Sequence, residues 1–355
     1  MAKEKEVTDV NNIYTPKEFL KKYGQYVTTG ERVLEQKKNY KVISISPATD
    51  LALGGGIKEG SWLMLSGPPK SGKTTTSMQI IANCQAEGRK IIYLDIEGRL
   101  KEMNFEVPGI DPSKVTVIRS EKEPLSAEDF LEIGKQLVSL PENEGCVLVI
   151  DSISSLIPKR DLGEVVDGQT RPGLPKILSD FCKKMGQIVP NQRALVIMIT
   201  HMITNTSGYG AGKMADGGVK IQYQADTRME VKGVTPWETG TKEENKQVIG
   251  LKVKWKAICS SIGKPNVEYE SWIRFGHGID KVQEIINIAG ELGLIDVNAS
   301  WFDLDYLSEP EAKAEAELPP DFNPKLQGQE KVYNFLTSHP KAYAILERKV
   351  KEMLA

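Results

Sequence analysis

The chain has 355 residues, 40% hydrophobic and 26% charged, with a formal net charge of −2. That length exceeds a single typical core and predicts one large α/β domain with smaller appendages. A near-neutral balance excludes a globally basic nucleic-acid binder, so any such contact has to come from local patches. The four cysteines, Cys84, Cys146, Cys182 and Cys259, include no C-x-x-C pair, and His201, His277 and His339 lie far apart. Neither a disulfide framework nor a zinc site is suggested. The apolar runs at 146–150 and 194–199 are too short to cross a bilayer, and the start MAKEKEVTDVNN lacks the apolar region of a signal peptide, so a reduced cytoplasm is the expected compartment.

In chain order, residues 1–40 carry mixed charge and one predicted helix, PKEFLKKYGQYV, with too little apolar content for a core of their own. An alternating strand is predicted over YKVISIS. The runs WLMLS, KIIYLDI, VTVIRS, CVLVIDS and ALVIMIT then alternate with helical stretches, which implies a mostly parallel sheet. RMEVKG, GLKVKWKA and EYESWIRF follow with few helices between them and predict an antiparallel extension; DKVQEIINIAGELGL predicts a helix. This core is expected to span 41–300. Residues 303–324, DLDYLSEPEAKAEAELPPDFNP, carry seven acids, one lysine and four prolines, and 301–324 reads as an acidic linker. The tail, 325–355, predicts a small helical segment broken at Pro340.

One stretch, SGPPKSGKTTT, fits G-x-x-x-x-G-K-[ST] between a strand and a helix. Glycines there let backbone N–H groups converge on a phosphate, and the following helix presents its positive end to the same anion. Gly67, Pro68, Pro69, Lys70, Ser71, Gly72, Lys73, Thr74 and Thr75 are therefore expected to hold a nucleoside triphosphate. Lys73 would serve the β- and γ-phosphates and Thr74 a Mg²⁺ ion; an accidental glycine loop is the plain alternative. CVLVI ends in Asp151, a carboxylate placed to hold the same ion, or else a helix cap. KIIYLDI ends in Glu97, assigned to polarising the attacking water, with Asp95 as rival and a solvated loop residue as the bland reading. ALVIMIT runs into His201, which could sense the γ-phosphate or simply bond backbone.

At this point the pattern resembles the RecA family of strand-exchange recombinases and its phage relatives such as UvsX. The resemblance is carried by TTGERVLEQ, ISPATDLALGGGIKEGSW, GPPKSGKTTT, LDIEGRL, VLVIDSISSLIPK, MADGGVKIQYQADTRMEV, LKVKWKAICSSIGKPNVEYESWIRFGHGID and SHPKAYAILERKVKEML. It implies a RecA-type P-loop ATPase core, an N-terminal helix-strand polymerisation arm and a small helical C-terminal domain. Glu97 falls on the family's catalytic glutamate. The position of His201 is usually glutamine in the bacterial proteins, and histidine is similar to the phage variant.

The same resemblance implies that Lys254 and Lys256 reach the γ-phosphate of a neighbouring subunit; alternate residues of a strand share a face, so K-x-K aims two charges one way. It implies that Phe275 and Gly276 border the adenine from the neighbour. On the near side the family's stacking tyrosine falls near Asn104, with Phe105 beside it, which leaves that contact unassigned. Two loops, 159–173 and 202–218, resemble the family's DNA loops. The first and its helix carry Arg171, Lys176, Ser179, Lys183 and Lys184; the second carries Tyr209, Gly217 and Gly218. A solvated basic face is the alternative for Lys183 and Lys184.

The expected function is a DNA-dependent ATPase and homologous recombinase. It would use ATP and Mg²⁺, form helical homo-oligomeric filaments on single-stranded DNA and pair them with homologous duplex. Single-strand-binding and mediator proteins are candidate partners, in a bacterial cytoplasm or phage-infected cell. A hexameric helicase on the same core, or an ATP-switched recombination mediator, are the competing readings.

Overall fold

The apolar runs pair side by side, and their alternate residues are buried on opposite faces of one sheet. The computed structural model describes residues 17–163, 173–204, 213–239 and 246–354. Residues up to 41 form one unit and 42–355 another. The first holds α1 (Lys17–Tyr23) and α2 (Gly30–Lys38). Thr29 starts α2 by accepting a hydrogen bond from the Arg32 backbone N–H at 3.2 Å.

In the second unit β1 (Val42–Ile43) pairs antiparallel with β2 (Ile57–Lys58), flanking α3 (Pro47–Leu53). The longer strand predicted over YKVISIS stops after Ile43. The Asp50 carboxylate receives Ser44 Oγ at 2.5 Å and the Ile45 N–H at 2.8 Å, which turns the chain into α3.

The central sheet is built from β3 (Ser61–Gly67), β4 (Ile91–Asp95), β5 (Val115–Ile118), β6 (Val147–Asp151) and β7 (Leu195–Thr204), all parallel. The helices between them are α4 (Lys73–Ala86), α5 (Ala127–Ser139) and α6 (Leu174–Asn191). The short β8 (Lys213–Ala215) pairs with β7, and α7 (Val219–Gln224) follows. β9 (Thr227–Thr239) lies parallel to β3 and antiparallel to β10 (Gln247–Cys259), which pairs with β11 (Val267–Arg274) and β12 (Gly278–Ile279). The resulting order is β12-β11-β10-β9-β3-β7-β6-β4-β5.

Period-two alternation sorts the strands between two apolar layers. Leu63, Leu65, Val147, Val149, Leu195 and Ile197 point into the layer shared with Met78, Ile80 and Ile81 of α4. Trp62, Met64, Leu148, Ile150, Val196 and Met198 point into the layer shared with Phe130 of α5 and Phe181 and Met185 of α6. With both faces covered, the strands read as continuous apolar runs, and each buried side chain of this size contributes about 1.5–3 kcal/mol.

The C-terminal part holds α8 (Lys281–Glu291), β13 (Asp296–Asn298), β14 (Trp301–Asp303), α9 (Pro310–Glu315), β15 (Lys325–Gln327), α10 (Gln329–Ser338) and α11 (Pro340–Leu354). Here the expectation of a linker over 301–324 meets a different structure. Leu304, Tyr306, Leu307, Ala316 and Leu318 are buried in a cluster with α8, α10 and α11. β14 is the middle strand of a three-stranded sheet. The acids face outward, and Glu315 receives both terminal nitrogens of Arg348 at 2.8 and 3.0 Å. Composition was dominated by the solvent-facing half of a folded segment.

Two contacts join this part to the antiparallel strands. Glu284 of α8, buried at 1% exposure, accepts the Ala48 N–H at 3.0 Å and Ser271 Oγ at 2.6 Å. Burial pushes its carboxyl up to about 7, against those donors. Arg274, the last residue of β11, lies 4.5 Å from the Trp237 ring and 4.7 Å from that of Tyr333 in α10. Its Nε meets Asp280 Oδ2 at 2.7 Å, and Tyr333 donates to the same oxygen at 2.9 Å.

Candidate nucleotide site

The phosphate loop begins where β3 ends, at the carboxyl edge of the sheet, where open α/β folds gather ligands. Gly72 has φ +88° and caps α4 without a side chain, so the helix opens with unpaired backbone N–H groups. Both motif glycines are also fixed by packing. A Cβ on Gly67 would stand 2.8 Å from Val231 Cβ, and one on Gly72 would strike Ile273 Cδ1. Pro68, Pro69 and Lys70 are exposed at the tip, and Ser71 Oγ donates to the Pro68 carbonyl at 2.7 Å. Thr75 lies half-buried in the first turn of α4.

Lys73 is buried at 5% exposure and donates to the carbonyls of Gly67 at 3.0 Å and Pro68 at 2.6 Å. Burial holds its ammonium below the usual lysine range, opposed by the Asp151 and Glu97 carboxylates. Thr74 Oγ1 donates to Asp151 Oδ2 at 3.0 Å, so hydroxyl and carboxylate form one corner. Burial pushes the Asp151 carboxyl up, while donors from Tyr93 and Thr74 pull it down. Asp95, in register with Asp151 on the neighbouring strand, is buried and accepts the Arg99 N–H at 3.0 Å; its Oδ2 has no partner among the described residues. A hydroxyl beside one or two carboxylates is the donor set Mg²⁺ takes when it keeps waters and substrate phosphates in its shell, so the residues present fit that ion.

Glu97 follows two residues after Asp95. Its Oε1 accepts from Ser152 Oγ at 2.7 Å and Ser155 Oγ at 3.2 Å and lies 3.0 Å from His201 Nε2; its Oε2 is 3.2 Å from Arg99 Nη1. Burial works against ionisation, yet the bonds from Ser152, His201 and Ser155 hold the carboxyl below its usual range. His201 reaches it through the β4–β6–β7 ladder, with Asp95 opposite Asp151 and Ile150 opposite Met198, while on its other side β3 sets Gly67 opposite His201. The His201 N–H donates to Ser154 Oγ at 3.0 Å, and its carbonyl accepts from the Asp216 N–H at 2.9 Å. This last bond ties the site to β8, beyond which residues 205–212 lie outside the described residues.

Lys73, Thr74, Asp151, Glu97 and His201 are thus brought together, and Asp95 stands beside them. Lys254 and Lys256 are not. They share the outer face of β10, with Val253, Trp255 and Ala257 buried on the other face. Lys254 pairs with Glu268 across the strand at 2.9 Å, a contact that raises the lysine's pKa and lowers the acid's. Phe275 is exposed at the turn after β11, its N–H donating to the Ile249 carbonyl at 3.0 Å, and Ile273, two residues earlier, is the side chain that packs on Gly72. Gly276, with φ +69°, faces Glu106 Oε2, placing this pair near the 104–106 segment of the same chain.

Of the residues expected to meet DNA, Arg171 and Tyr209 lie outside the described residues. Lys176, Lys183 and Lys184 are exposed on α6, with Lys183 3.4 Å from Asp180, and Ser179 is half-buried. Gly217 and Gly218 have φ +96° and +91°. A Cβ on Gly217 would lie 2.8 Å from Ile153 Cδ1, and one on Gly218 would lie 3.3 Å from Pro175 of α6. Their positions are required by packing between the two loop bases, and the Gly217 N–H already donates to Asp216 Oδ1 at 2.6 Å.

Sequence reasoning missed Tyr93, Ser152, Ser155 and Arg99 as partners of the acids. Ser152 and Ser155 sit in the stretch after Asp151, where a hydroxyl-rich strand exit was the available signal. Tyr93 gave none, because a tyrosine inside an apolar run reads as core.

Comparison with known proteins places residues 16–280 in the family described as the RecA N-terminal domain. The chain is 32% identical over 288 residues to the protein named Protein RecA of Helicobacter hepaticus, covering 78% of each. It is 28% identical over 311 residues to that of Thioalkalivibrio sulfidiphilus, covering 86% of this chain and 82% of the other. It is 28% identical over 339 residues to that of Nitratiruptor sp., covering 93% and 89%.

Proposed function

The chain belongs to the RecA family of strand-exchange recombinases, and we propose that the site just described hydrolyses ATP when copies of this chain assemble on single-stranded DNA and exchange it with a homologous duplex. The supporting observation is a path of hydrogen bonds, joined at the Asp151–Ser152 peptide, from the phosphate loop to the base of β8. Thr74 bonds Asp151, and Glu97 bonds Ser152 and His201, whose backbone holds the strand leading to the second DNA loop.

In this reading the loop N–H groups and Lys73 bind the β- and γ-phosphates, and Lys73 leaves the Gly67 and Pro68 carbonyls to do so. Thr74 and Asp151 would hold Mg²⁺, which would supply positive charge against that of the phosphates. Glu97, kept ionised by its donors, orients the attacking water and takes its proton. His201 exchanges its bond to Glu97 for one to the γ-phosphate, so occupancy is relayed through β7 and β8. Lys254 and Lys256 face outward because the transition-state charge they serve belongs to the next subunit. Phe275 and Gly276 border the adenine held by a neighbouring subunit. Exposed Lys176, Lys183 and Lys184 supply sequence-independent phosphate contacts, the kind a recombinase needs. No helix among the described residues is long and apolar enough to cross a membrane.

The test is strand exchange between a circular single strand and its homologous linear duplex with ATP and Mg²⁺, run beside ATP hydrolysis with and without single-stranded DNA. Joint molecules and DNA-stimulated hydrolysis, both lost in Lys73→Ala, are the expected result. Hydrolysis indifferent to DNA, with no joint molecules, overturns the reading.

A further inference from the structure

Tyr93 is fully buried in the middle of β4, its ring packed in the α4-side layer with Val147 and Val149 of β6. Its hydroxyl reaches diagonally across the strand pair and donates to Asp151 Oδ2 at 2.6 Å. Thr74 donates to the same oxygen at 3.0 Å. A phenylalanine would fill the same apolar space without a polar atom, and sinking a hydroxyl there is unfavourable unless it is bonded. The packing therefore does not ask for the hydroxyl; the carboxylate does.

We propose that Tyr93 is a positioning residue for the divalent cation, locking the Asp151 carboxylate so that Oδ2 is committed to protein donors and the other oxygen is left for a metal-bound water. The proposal rests on the assignment of Thr74 and Asp151 to the metal. An aspartate's terminal torsion is broad and soft, so one donor from the half-exposed Thr74 leaves the carboxylate free to swing. A donor on an aromatic ring held by its neighbours does not move, and outer partners of this kind set metal affinity through the ligands they orient.

The experiment uses the full chain and a fluorescent ADP analogue, titrated first without Mg²⁺ and then with increasing Mg²⁺, alongside thermal melting of the free protein. Tyr93→Phe is expected to melt like the parent and bind the analogue equally without Mg²⁺, while the Mg²⁺ needed for half-saturation of the complex rises about tenfold. Asp151→Asn is expected to raise it further, and adding Tyr93→Phe to Asp151→Asn to change nothing more. An unchanged Mg²⁺ curve in Tyr93→Phe, with Asp151→Asn still shifted, overturns the positioning role alone. Unchanged curves in both remove the metal assignment and the proposal with it. Loss of affinity in Tyr93→Phe without Mg²⁺, or a collapsed melt, marks the hydroxyl as structural and overturns the proposal as well.

Discussion

The two halves of the central sheet treat their charges differently. At the end of the parallel half, Asp95, Glu97 and Asp151 are buried or half-buried and held by neighbours of the same chain. On the antiparallel half, Lys254 is exposed on the outer face of β10, and its partner is another exposed side chain, Glu268. The first arrangement is complete within one subunit. The second holds Lys254 by a surface ion pair, a weak contact in water. The carboxylates are held within the chain, and Lys254 stands open to solvent.

Breaking the self-contained half has the largest expected effect. Glu97→Gln keeps the shape and removes the charge, so DNA-stimulated phosphate release should fall about 10³-fold while filaments on single-stranded DNA persist by electron microscopy. Unchanged turnover would take Glu97 out of its role and leave Asp95 as the candidate. Removing the cations of the other half, with Lys254→Ala and Lys256→Ala together, should cut the same rate about 10²-fold without altering nucleotide affinity of the unassembled chain. Mixing sharpens the point. The doubly substituted chain and Lys73→Ala, each far below the parent rate alone, should together recover turnover, because one retains the site and the other the lysines; no recovery would place the lysines' work within a single subunit.

The smallest expected effect concerns the joint behind the antiparallel half. Folded Glu284 keeps its proton up to about pH 7, whereas a free glutamate releases it near 4.5. Between those values the unfolded chain binds fewer protons, so this group's contribution declines as pH rises through that window, by about 2–3 kcal/mol. Glu284→Gln should remove that decline, and urea unfolding at pH 5 and pH 8 measures it as the difference between parent and variant.

Much of the parallel half was legible because its signals are local. A glycine-bounded loop between strand and helix and a carboxylate one step past an apolar run both follow from chain geometry within a few residues. What escaped depended on partners distant in sequence. Tyr93 meets Asp151 only through the β4–β6 register, and Ile273 of β11 comes against Gly72 from a distant part of the chain. The segment 303–324 was misjudged for a related reason: Leu304, Tyr306, Leu307 and Leu318 are sparse among acids and prolines, and their common burial appears once α8, α10 and α11 close over them. His201 was placed by its strand end, while its hold on Glu97 came from the β4–β6–β7 pairing.

Arg274, clasped between the rings of Trp237 and Tyr333, sits one residue ahead of Phe275. Cutting the tail before α10 would therefore do more than trim two helices. The guanidinium would lose one of its flanking rings and Asp280 one of its donors, so the corner bearing Phe275 would be left loose although every residue of it remained. Deletions made to study the tail will also report on how firmly Arg274 and Asp280 are held.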